Sequence, residues 1–137
     1  MRYLKTVIFI FVCSALLLLT SNLLAQEDFK LFNEGMELRI QREWDKALEK
    51  YEQLKLQYPS SKYVDDADFW SAYILEEQGK ESEAFSAYRQ MKEKHPESPW
   101  VDDATMHQIG LAEKFVKQGQ DSYKPFLTEH LESPNKM

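Results

Sequence analysis

The chain repeats itself, and that periodicity constrains its fold more than any single residue does. Laying 44–67 over 81–104, an offset of 37 residues, gives 10 identities in 24 positions, among them Ala47/Ala84, Tyr51/Tyr88, Pro59/Pro96, Ser61/Ser98 and the runs Val64-Asp-Asp-Ala67 and Val101-Asp-Asp-Ala104. A period of that size marks one supersecondary unit stacked on copies of itself. Inside each copy Ala47, Leu48, Tyr51, Leu54 and then Ala84, Phe85, Tyr88, Met91 recur at helical spacing, so each copy holds an amphipathic helix that stops before a proline. Only 4 Gly and 5 Pro in 137 residues leave little turn material for a many-stranded β fold.

A second helix follows each proline. Ser98-Pro99 reads as an N-cap with Pro at the first helical position, and Ser61 stands at the same place in the first copy. Asp65, Asp66, Asp102 and Asp103 then fall in first turns, where negative charge interacts favourably with the helix dipole. Gly79 and Gly119 are suited to end those helices in a left-handed conformation. The spacing predicts six helices in three antiparallel pairs: 27–41 with 43–57, 62–78 with 81–94, and 99–118 with 123–131. The fold class is all-α, an α-solenoid, with 26–131 as the folded domain and 132–137 as a flexible tail.

The first 25 residues read as an address. Arg2 and Lys5 precede an apolar stretch from Val7 to Leu19, the layout of a secretory signal peptide, with cleavage after Ala25. Leu23 is large for the position three before the mature end, so an uncleaved anchor in the inner membrane is the alternative. The expected location is the periplasm or outside the cell. Cys13 is the sole cysteine, and Phe11-Val12 before it do not fit a lipidation site, so the mature chain would hold no thiol, disulfide or cysteine-based zinc site. The formal net charge of -6 becomes -8 without Arg2 and Lys5, which disfavours nucleic acid as a partner. Any membrane contact would run through the N-terminal segment.

Gly35, Ala47, Tyr51 and Pro59, followed by Ala72, Ala84, Tyr88 and Pro96, resemble the pattern of a tetratricopeptide repeat: a small residue midway along the first helix, then Ala, an aromatic and Pro along the second. The 37-residue period and the segments 58–67 and 95–104 look like the arrays of periplasmic envelope proteins, especially BamD-like assembly lipoproteins and the CpoB-like, Tol-Pal-associated group. The resemblance implies an exported scaffold that binds a protein or peptide partner of the cell envelope.

Chemistry is hard to find in this chain. His95 and His107 replace aromatic residues of the other copy, Tyr58 and Trp70, and His130 lies on an apolar stripe, so all three read as packing residues. Consecutive aspartates point about 100° apart on a helix and do not face one ion together. Phosphate-binding glycine loops and hydrolase or metalloprotease motifs are absent. The expectation is a protein with no catalytic residue, metal or cofactor.

In the repeat family the first helices line the concave face, and transferring that stripe selects Phe29, Phe32, Met36 and Arg39, then Asp66, Phe69, Tyr73, Glu76 and Glu77, then Asp103, Met106, Glu113 and Lys114. As a partner-binding groove these residues would form an aromatic floor with acidic rims, with Phe69 and Tyr73 at least partly exposed. As packing residues the same rings would be buried between helices. A membrane-anchored structural subunit of an envelope assembly complex is the alternative function.

Overall fold

The computed structural model describes residues 27–131, together with Tyr3. Apart from Tyr3, the expected leader (1–25) and the tail (132–137) lie outside the described residues. Helix α1 covers 27–40, followed by α2 (Trp44–Gln57), α3 (Val64–Glu77), α4 (Glu81–Lys94), α5 (Val101–Lys117), a short 3-10 turn (Asp121–Tyr123) and α6 (Lys124–Leu131). No strand occurs among the described residues. Each helix from α2 onward packs against its chain neighbour, as expected of a one-dimensional stack.

Small residues set how closely the helices of a pair approach. Ala47, Ala72 and Ala84 are fully buried, and Tyr51 and Tyr88 fill the spaces beside them without exposing any surface. Gly35 is the extreme case, because a Cβ there would come within 2.5 Å of the Tyr51 ring. Pro59 and Pro96 are exposed in the turns after α2 and α4. Two apolar clusters result, one around Tyr51, Leu54 and Ile74 and the other around Phe69, Tyr88, Met91 and Phe115, and Trp70 touches both.

All three first helices end in the same way. The amides of residues 42 and 43 bond the carbonyls of Arg39 and Leu38, those of 79 and 80 bond Glu76 and Leu75, and those of 119 and 120 bond Val116 and Phe115. This double closure requires a left-handed residue. Gly79 and Gly119 supply it, but in the first pair it falls on Arg42, at φ 60°. No glycine marks that stop in the sequence.

The serines do not cap helices as expected. α3 and α5 begin at Val64 and Val101, two residues beyond the expected start, and no side chain caps either. Ser61 and Ser98 instead brace the turn before the helix, each Oγ accepting from the amide two residues on, Tyr63 or Trp100. Each Oγ also donates across to the preceding first helix, Ser61 to Asp28 at 2.7 Å and Ser98 to Asp65 at 2.6 Å. The cap reading fails because the hydroxyl bridges two repeats rather than closing its own helix.

Asp68 is the buried charge of the stack. Lys55 Nζ and His95 Nε2 both lie 3.0 Å from its carboxylate. Burial alone would raise its carboxyl, but Lys55 and His95 outweigh that and hold it below the usual carboxylate value. Stability contributed by Asp68 is therefore present above the unfolded carboxylate range and lost as pH falls through the lower folded value.

Three outcomes follow for the folded chain. Gly35→Ala should destabilise by about 1–3 kcal/mol through overpacking, while Gly110→Ala, where a Cβ would meet nothing within 4 Å, should be neutral or stabilise by up to about 1 kcal/mol. Arg42→Gly should stabilise by about 0.5–1 kcal/mol by relieving the left-handed strain. Denaturant melts of each variant check these values. Melts taken from pH 6 down to pH 2 should lose stability below about pH 4, and Asp68→Asn should flatten that profile.

Candidate functional site

Where the expected groove residues lie follows from the 37-residue register. Phe32, Phe69 and Met106 occupy one position in α1, α3 and α5, and in α1 and α3 that position faces the aromatic residue of the next turn. Phe32 stacks on Tyr63 with centroids 4.9 Å apart and planes 10° from parallel; Phe69 stacks on Trp100 at 4.4 Å and 16°. Phe69 is only 3% exposed and also meets Trp70 and Tyr88. It is a core residue and not a groove floor. The transferred stripe had picked the contact between repeats, because a ring presented to solvent and one presented to the next repeat have the same helical spacing.

Among the described residues no ring lies over Met106, which is 67% exposed. Phe29 is 46% exposed and rests against Tyr63 at 5.7 Å. Its register partner in α3 is Asp66, which accepts a hydrogen bond from Trp100 Nε1 at 2.5 Å. Burial pushes the Asp66 carboxyl up, the indole bond opposes this, and neighbouring Asp65 adds to it.

The face that α1, α3 and α5 do present centres on Tyr73. Its half-buried ring stands edge-on to Trp70 at 5.6 Å and to His107 at 5.8 Å. Met36 holds the same register in α1 and is half-buried, while α5 has Gly110 there, exposed and without a side chain, which leaves Tyr73 open on that side. The Arg39 guanidinium lies 3.9 Å over Trp70 and 6.0 Å from Tyr73.

One turn along, Glu76 accepts from the Tyr88 hydroxyl at 2.9 Å and lies 2.8 Å from His107 Nδ1, so it is tied into the structure rather than forming a free acidic rim. Glu77 is exposed. In the first pair Arg39 stands where Glu76 does, and Arg39 Nε and Tyr51 Oη are both buried without a hydrogen-bond partner among the described residues. Burial pushes the Tyr51 phenol up to about 12, against the opposing effect of Arg39.

Each histidine is held by a neighbouring residue. His107 stacks on Tyr88 and pairs with Glu76, His95 pairs with Asp68, and His130 Nδ1 lies 2.8 Å from the Phe126 carbonyl against the Phe126 ring. Among the described residues no three His, Cys, Asp or Glu side chains converge as metal ligands, and no helix is long and apolar enough to cross a membrane. Trp70 and His107 also belong to this face, and their signal in the sequence is their place one residue after Phe69 and Met106.

Phe69→Ala should cost about 3–5 kcal/mol of stability as a core truncation, whereas Met106→Ala in α5 should stay within about 0.5 kcal/mol of wild type. Paired denaturation curves measure the contrast.

No curated protein matches the chain significantly. The profile of the tetratricopeptide repeat family matches residues 15–61 and 66–98, more than half of its length. Tetratricopeptide repeats are generally non-catalytic scaffolds that bind protein partners. The family's helix pairs, small contact residues and closing proline all have their places here: the chain belongs to the tetratricopeptide repeat family.

Proposed function

We propose that this protein is an exported, non-catalytic scaffold whose first-helix face captures a protein or peptide partner of the cell envelope. The observation that carries the reading is the Tyr73 site. A half-open aromatic ring beside a cationic guanidinium and an exposed carboxylate, Glu77, is suited to an extended segment that brings an apolar side chain and polar backbone. The charged and apolar layout of residues 1–19 supports export. The likeness of the two Pro-x-Ser segments to BamD-like and CpoB-like arrays supports an envelope setting.

Capture from envelope extract tests this reading. The full chain should retain a partner, and Tyr73→Ala and Glu77→Lys should each weaken that capture by about 1–2 kcal/mol while the variants remain folded by circular dichroism. Undiminished capture by both variants would sink the site. Mass spectrometry of the protein recovered from its host checks the export half: a first residue of Gln26 supports a released scaffold, and Met1 supports the anchored subunit.

A further inference from the structure

Among the described residues the last first helix, α5, carries a surface whose partner is described twice within the molecule. At each internal junction three positions of a first helix receive the turn that follows. Asp28 and Asp65 accept the serine hydroxyl, Phe29 and Asp66 meet the side of the aromatic ring, and Phe32 and Phe69 lie beneath its face. Adding 37 to the second set gives Asp102, Asp103 and Met106, all on the first half of α5 and all exposed.

We propose that this face of α5 is a docking surface for a Pro-x-Ser-x-Trp or Pro-x-Ser-x-Tyr turn carried by a partner protein built of similar helix pairs. The chemistry is specific. Asp102 and Asp103 offer acceptors alone, so a hydroxyl and an indole N–H complement them, whereas an acidic segment would be repelled. Met106 is an adaptable apolar seat for the ring. A second copy of this chain does not fit, since both of its turns, at 58–63 and 95–100, are bound to its own Asp28, Asp65 and Asp66. The surface is separate from the Tyr73 face, and the proposal stands whether or not that face binds a partner.

The chain's own turn is the probe. A synthetic peptide of residues 94–101, which keeps the turn and leaves out the acidic pair, titrated into the isotope-labelled full chain should perturb the amides of Asp102, Asp103 and Met106. Ser98→Ala or Trp100→Ala in the peptide, or Asp103→Asn in the chain, should weaken binding about fivefold or more, the equivalent of one hydrogen bond. Met106→Phe, which restores the ring present at positions 32 and 69, should tighten it. Binding that ignores all of these substitutions overturns the proposal, as does binding that appears only after residues 132–137 are deleted, which would give the surface to the chain's own tail. A free peptide does not hold the turn closed, so the second measurement presents it on a folded unit: residues 95–131 appended after Leu131 should raise the melting temperature by several degrees, and Asp102→Asn with Asp103→Asn should cancel the gain. No gain on extension, together with no peptide binding, is the result that removes the idea.

Discussion

The junction between repeats is the interaction on which the rest of the structure depends. An aromatic ring from each inter-repeat turn lies flat on a ring of the preceding first helix, and a serine two residues before it donates to an aspartate one turn earlier on that helix. A single helix pair has too little apolar surface to fold alone, so each pair is stable only as far as the next turn closes over it. The stacking supplies buried area, and the hydroxyl bond sets the register. Those two effects explain why the proline turn keeps its serine and aromatic while the residues around them change.

Departures from the repeat show where the pairs differ in kind. Lys55 meets the Asp68 carboxylate at 3.0 Å, but its register partner Lys92 has the Thr105 hydroxyl at 2.9 Å in place of a carboxylate. Burial lowers the Lys92 ammonium, whereas Glu52 and Asp68 outweigh burial at Lys55 and raise it. Likewise Glu76 ties Tyr88 to His107, while its counterpart Arg39 lies over Trp70, and the Tyr51 hydroxyl has no hydrogen-bond partner among the described residues. One backbone arrangement thus carries different polar chemistry in successive pairs. The Arg39/Glu76 difference lies beside Tyr73, and it gives a scaffold of repeated parts one distinctive place.

Aspartates at the first turns serve two ends. They sit where the helix dipole favours negative charge, and Asp65 and Asp66 also receive the next turn. Asp102 and Asp103 occupy the same first-turn positions without an incoming turn among the described residues. A solenoid end differs from its interior for this reason: the same side chains that are satisfied within the stack face solvent at its edge.

The sequence by itself determined the period, the helix pairing and the small residues at each close approach. These depend on spacing within one or two turns, and Ala47, Ala84, Tyr51 and Tyr88 state it twice. Gly79 and Gly119 announced their helix ends; the break at 42 followed from the helix spacing, but with no glycine there nothing in the sequence announced that Arg42 takes the left-handed conformation. Only the tertiary structure decided which side of each first helix is buried by the next repeat. Phe69 and Tyr73 lie one turn apart and look alike in sequence, yet one is sealed under Trp100 and the other stays half open. The physical reason is that burial of a repeat's face depends on a residue about 31 positions downstream, and helical periodicity reports only on neighbours three and four residues away.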